Sequence, residues 1–232
     1  MEAVTRAPLR LRLCPKLSPL SQLVQRPFTT TAPLERDGKS KKQWLQVKRF
    51  VPEEARKFVK LDGKLMTTKE NEEFMLKYDL EPDNGTMVKL AGKDLGKTAS
   101  MFNTTIAFSR KHIIIPYDLK FFDPRGHPLA SAIRKRYAEK VDAEPLWIMT
   151  SVAGGASAVV RSTAARQLKE ALIKSLGQLG YNQAPGKGEA RQIKGTLWLT
   201  IHNPVAITAM NEVPFANTLA NYLHNRHSKG IR

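Results

Sequence analysis

The chain has a single cysteine in 232 residues, Cys14. Everything after it therefore lacks a disulfide, a thiolate nucleophile and a cysteine-ligated metal. Long apolar runs are missing as well. No window approaches the roughly 18 consecutive apolar residues of a membrane-spanning helix, so no membrane span is expected. Acids are scarce: 21 Asp and Glu stand against 38 Lys and Arg, for a net charge of +17. A compact protein with that excess repels itself, and the usual compensation is a polyanion. No serine lies in a glycine-elbow context, and no pair of acids stands out. The five histidines are scattered. His224 and His227 have a spacing that can bind metal, but neither a cysteine nor a carboxylate lies beside them. These absences point away from an enzyme, and no metal or cofactor is expected.

What is present begins at the N-terminus. Residues 1–34 carry Arg6, Arg10, Arg12, Lys16 and Arg26 against the lone acid Glu2, with hydroxyls at Thr29, Thr30 and Thr31. A basic, acid-poor, hydroxyl-bearing start is the pattern of a mitochondrial transit peptide. The membrane potential draws its cations inward, and a carboxylate would oppose that pull. Arg26-Pro27-Phe28 ahead of the threonines reads as a matrix processing site, which puts the mature start between Thr29 and Arg36. The alternative is a disordered basic arm on a cytosolic protein. Those five bases and one acid leave +13 on the remainder, spread along the whole chain.

The organisation expected is a transit peptide over 1–34, a basic extension with short helices over 35–85, and an α/β core with a basic tail over 86–232. Pro52-Glu53-Glu54 opens a short helix, with acids at its positive end. Thr67 or Thr68 caps a second, running to about Tyr78. Asp83-Asn84-Gly85 is a turn ahead of a strand at 86–90. Residues 91–111 fit neither period. His112-Ile113-Ile114-Ile115 reads as a buried strand stopped by Pro116, and 129–141 as a helix. Leu146-Trp147-Ile148-Met149 reads as a strand entering Gly154-Gly155. Ser162 or Thr163 then caps a helix from Ala164 to about Leu179. It places Ala165, Leu168, Leu172, Leu176 and Leu179 on one face and turns Arg166, Glu170 and Lys174 away. Gly180 sits at the glycine C-cap. Residues 196–202 form the best strand, and a last helix covers 215–222. The fold class expected is α+β, a small strand–helix–strand–helix core with extended basic ends. Leu146, Ile148, Leu168, Leu172, Leu176, Leu197, Leu199 and Ile201 would fill it.

Ala91 to Thr98 fits a relaxed phosphate-loop pattern ending in Gly96-Lys97-Thr98, in which Lys97 would reach phosphates and Thr98 magnesium. Against it stand the alanine in place of the first glycine and the poor helix formers at 99–105. The reading preferred is a lysine-rich turn touching RNA phosphate. The basic residues are the better candidates for contact with RNA. They are Lys41, Lys42, Lys48 and Arg49 around Trp44; Arg110 and Lys111; Arg134, Lys135 and Arg136 on one helix turn; Arg161 after the double glycine; Lys187, Arg191 and Lys194 in a Gly/Lys-rich loop; and Arg226, Lys229 and Arg232 in the tail. Trp44 could stack on bases or pack in a core. Trp147 and Trp198 read as core.

With these features together the chain resembles a fungal-type mitochondrial ribosomal protein. Residues 144–229 also resemble a mitochondrial large-subunit family that shares the small α/β fold of a start-codon-selection factor. The residues in common are Pro145-Leu146-Trp147-Ile148, Gly154-Gly155, Val160-Arg161 and Gly195-Thr196-Leu197-Trp198-Leu199. Glu144 and Ala156 depart from that family's pattern, which has an aromatic–Arg–Thr strand before the Leu-Pro segment and a basic residue after the glycines. The resemblance implies a non-enzymatic structural component of the mitochondrial ribosome in the matrix, with ribosomal RNA and neighbouring ribosomal proteins as partners. Three further readings stay open. They are a soluble RNA-binding or ribosome-assembly factor, a phosphate-loop nucleotide-binding protein, and a mitochondrial DNA-binding protein.

Overall fold

The computed structural model describes residues 47–60 and 62–228. The transit-peptide reading, Trp44, Lys41, Lys42, Lys229 and Arg232 lie outside them. The fold is α+β, as the sequence predicts. Its centre is a four-stranded sheet in the order β2-β3-β6-β5. These strands are Val88–Lys89 (β2), Thr104–Ser109 (β3), Leu146–Val152 (β5) and Gly195–Ile201 (β6). β2 pairs antiparallel with β3, and β3 antiparallel with β6. β5 lies parallel to β6. The long helix Ala158–Gln178 (α4) makes the crossover that a parallel pair needs. A second, two-stranded sheet joins Leu80–Glu81 (β1) to His112–Ile113 (β4).

Alternation along the strands sorts the sheet into two faces. On the first, Ile106, Phe108, Leu146, Leu197, Leu199 and Ile201 meet helices. Those helices are Lys93–Met101 (α2), α4 and Val213–Ser228 (α6). α4 contributes Ala164, Leu168, Leu172 and Leu176, and α6 contributes Phe215, Leu219 and Leu223. Among the described residues the second face is covered mainly at one end. There Trp147 joins Ala55, Phe58, Leu65, Met75, Leu80, Leu119, Phe122, Ile133 and Tyr137. This cluster unites the chain before residue 85, including Lys69–Lys77 (α1), with the 3-10 turn Pro116–Phe122 and Ala130–Ala143 (α3). Ala55, Phe58, Leu65, Met75 and Leu80 therefore form a packed layer of the core.

Every core residue expected from the strand–helix–strand pattern lies in or against the first cluster. Other expectations shift. α4 begins at Ala158, six residues before Ala164, because Ser157 accepts the Val160 N–H with its hydroxyl and serves as the cap. The ambiguous stretch 91–111 holds both α2 and β3. The final helix continues through His224, Arg226 and His227, which were expected in an irregular tail. A short helix at Pro204–Thr208 (α5), capped by Asn203, had no expectation. Gly180 does end α4 in the left-handed region, at φ 92°. Gly195, at φ 131°, opens β6 where a Cβ would drive into the Ser109 carbonyl and the Arg110 backbone. Only glycine lets β3 and β6 close at that point.

Candidate nucleic-acid interface

The phosphate-loop pattern is the first candidate the geometry resolves. α2 starts at Lys93 with Gly92 as its N-cap, so Gly96, Lys97 and Thr98 are wound into the helix. The Gly96 amide donates to the Gly92 carbonyl at 2.7 Å, and the Thr98 hydroxyl to the Asp94 carbonyl at 2.9 Å. A phosphate loop holds its amides free ahead of the helix, and here they are spent inside it. The poor helix formers at 99–105 do not prevent α2. They form its last turn and the start of β3.

The basic turn of α3 is engaged by other groups of the chain, although only Arg134 is half-buried and Lys135 and Arg136 are exposed. Arg134 donates to the Asn71 Oδ1 and, at 3.1 Å, to Glu70 on α1. Asn71 is fully buried, so this bond satisfies an amide that has no access to water. Arg136 pairs with Asp118, which also accepts the Tyr137 hydroxyl at 2.7 Å. The Tyr137 hydroxyl in turn accepts the Ile115 N–H at 2.9 Å. Burial and the Asp118 carboxylate push the Tyr137 pKa well up. Lys135 makes an exposed pair with Glu139 one turn on. Three of the expected phosphate contacts thus hold α3 against its own protein or its own helix.

Other predicted contacts are also engaged. Arg49 pairs with Asp83 at 2.8 Å and donates to the Asp62 carbonyl. Lys111 bridges Asp79 at 3.2 Å and Glu81 at 2.8 Å, and their carboxylates raise its pKa. Arg226 lies over the Phe108 ring, 5.8 Å from its centre. Arg191 reaches His224 at 3.5 Å. Lys187 is half-buried in its loop, whereas Lys48, Arg110 and Lys194 are exposed.

α4 is the opposite case. Arg161, Arg166, Lys169 and Lys174 are all exposed along it. Among the described residues none of the four has an ion-pair partner. Glu170 is the only acid on the helix, and its first turn has none. At 1.5 Å per residue the four cations span roughly 20 Å. Arg161 also lies at the positive end of the helix dipole, where a cation is unfavourable and an anion is stabilised. An anionic chain running along α4 would neutralise both. The sequence pattern had placed Arg166 and Lys174 on the outward face, but among the α4 cations only Arg161 was taken as a contact. The missed signal is the near-absence of acids around them.

A second perturbed group lies against Trp147. His112 is fully buried, with its ring stacked on Trp147 at 4.4 Å. Burial, with Lys194 and Lys140 adding, pushes its pKa down to about 4. The Lys140 ammonium sits over the other aromatic of that pair, 4.6 Å from the Trp147 ring centre, and burial lowers its pKa too.

Trp198 is not core in the way Trp147 is. It is half-buried on the second face of the sheet, beyond the end that the N-terminal layer covers. Its indole N–H donates to the Ser151 hydroxyl at 2.8 Å, and Ser151 shares a 3.0 Å bond with Thr200. Thr105 and His202 form a further pair at 2.9 Å on the same face.

Neither a protein-family model, nor a curated protein, nor a solved structure matches the chain. Function is therefore read from the surface itself. No helix among the described residues is long and apolar enough to cross a membrane.

Proposed function

We propose that this protein is an RNA-binding structural component of the mitochondrial ribosome. The observation that carries the RNA reading is the set of exposed cations on α4, Arg161, Arg166, Lys169 and Lys174, which have no ion-pair partner among the described residues. A net charge of +17 supports it, since folding alone does not require such an excess. The compartment rests on the basic, acid-poor pattern of residues 1–34, and the ribosomal setting on the resemblance in composition and organisation. Binding of this kind follows the phosphate backbone more than base identity, and it weakens steeply with salt. Lys48 and Lys194 extend the cationic surface beyond α4.

The test is a sucrose gradient of mitochondrial lysate at high salt, probed for this chain. Co-migration with one ribosomal subunit is the expected outcome and names the subunit. Migration at the top of the gradient overturns the ribosomal reading. In that case, binding of structured RNA in preference to duplex DNA would identify a free RNA-binding or assembly factor.

A further inference from the structure

We infer that the open half of the sheet's second face is a stacking site for unpaired RNA bases, with Trp198 as its platform. The inference rests on the RNA reading above and locates a second, different contact within it. Cross-strand register fixes which side chains share this face. One row runs Lys89, Ala107, Trp198, Met149, and the next runs Thr105, Thr200, Ser151. His202 closes the margin through its bond to Thr105.

The composition of this patch fits neither ordinary fate of a sheet face. A face destined for a second layer carries branched aliphatics, and a plain solvent face carries charges of both signs. Here an indole stands among hydroxyls. A cation, Lys89, lies at the β2 edge, and no carboxylate is present in either row. Trp147 shows the contrast. Its ring is occupied by His112, Tyr137 and Lys140. Among the described residues, no aromatic ring or cation lies over Trp198.

The indole is also held in place. Its N–H is tied to Ser151, and Ser151 is tied to Thr200, while the side chain packs, with Val47 and Met149, against the small cluster of Met87, Ala107 and Ile113. A ring fixed before binding loses little freedom when a base stacks on it. Every base has a π-face, so such a platform accepts single strands with little regard to sequence. Thr105, Thr200 and Ser151 supply hydroxyls for base edges or the ribose 2′-OH, and Lys89 supplies a phosphate contact. A duplex keeps its bases stacked inside and has nothing to offer Trp198. The α4 track makes no such distinction, which separates the two surfaces experimentally.

The experiment uses the mature chain with a short uridine-rich single strand carrying a photoreactive uridine, and a duplex of the same length. Irradiation is expected to crosslink the single strand to the peptide that contains Trp198. In the free chain, hydroxyl-radical footprinting is expected to oxidise Trp198, and the single strand should then protect it. W198L should lose roughly tenfold in single-strand affinity while duplex affinity stays unchanged. Crosslinks that map only elsewhere overturn the inference, and this outcome does not depend on how W198L folds. A Trp198 that resists oxidation in the free chain also overturns it, because another part of the chain or a second copy then covers the face. A folded W198L that binds single strands as tightly as wild type overturns it as well. If wild type binds neither strand nor duplex, the RNA reading itself fails.

Discussion

α3 and α4 each carry several basic residues, yet they use them in opposite ways. On α3, Arg134, Lys135 and Arg136 each have an acidic partner within the protein. On α4, Arg161, Arg166, Lys169 and Lys174 are exposed with no ion-pair partner among the described residues. In sequence the α3 cluster is the more conspicuous, because its three cations are contiguous. Contiguity is a poor guide on a helix. What decides whether a cation is available is the distribution of acids around it in the fold. Asp118, Glu70 and the buried Asn71 reach α3 from other segments, and among the described residues no acid pairs with an α4 cation.

Four measurements bear on that contrast, and the largest effect expected is on pH. His112, under α3, has its pKa depressed to about 4 against an ordinary 6.5. The unfolded chain takes up the proton near 6.5, and the folded chain resists until about 4. Stability is therefore full above this window and falls as pH drops through it, by on the order of 3 kcal/mol. Chemical denaturation across that range should show the slope, and H112F should remove most of it. His227, whose pKa is also lowered by burial, acts in the same direction. No pH dependence of this origin is expected from the α4 face. A flat profile in wild type would break the contrast at its α3 end.

Next is the neutralisation of α4. The combined variant R161Q/R166Q/K169Q/K174Q should lower RNA affinity roughly a hundredfold at low salt and reduce the salt slope by about 3. Its melting temperature should barely change, since these side chains hold nothing internal. Unchanged RNA binding would dismiss the α4 track. Third, R134A should cost about 2 kcal/mol of stability, because it strands the buried Asn71 oxygen. At a temperature where the variant is folded, its RNA affinity should match wild type. A loss of affinity without a loss of stability would reverse the roles assigned to the two helices. Smallest is K135A, which removes an exposed pair and should change stability by no more than about 0.5 kcal/mol.

The second half of the fold was legible because its periods are clean. Leu168, Leu172 and Leu176 repeat at helical spacing, and Leu197, Leu199 and Ile201 alternate, so local pattern and tertiary burial agree. The start of α4 was misplaced because Ser157, Ser162 and Thr163 are all competent caps. Only the fold selects the first. β3 was missed because Thr104-Thr105-Ile106-Ala107-Phe108-Ser109 carries one weak apolar face and follows Ala99-Ser100-Met101-Phe102-Asn103, which has neither period. Its strand state comes from β6, which supplies partners along its entire length. Tertiary pairing of this kind overrides local propensity. The candidate site was partly legible. The overall charge indicated a polyanion, but which cations are free depends on acids distant in sequence, as with Arg134 and Glu70. Trp198 reads as core from its strand, and only the incomplete covering of the second face exposes it.

β6 is the last strand to leave the ribosome that makes this protein, yet it lies inside the sheet, between β3 and β5. Until residues 195–201 exist, β3 has only the two-residue β2 beside it and β5 has no neighbour at all. Pairing Thr104 with Ile201 also closes a loop that takes in much of the chain, a slow step compared with forming either helix that flanks it. The unfinished protein therefore presents an open edge on β3 once residue 109 is made, and a second on β5 once residue 152 is made, until residues 195–201 arrive. A shortened product ending before Gly195 would keep those edges permanently. It should be recovered as aggregate or bound to chaperones and not as a smaller folded domain.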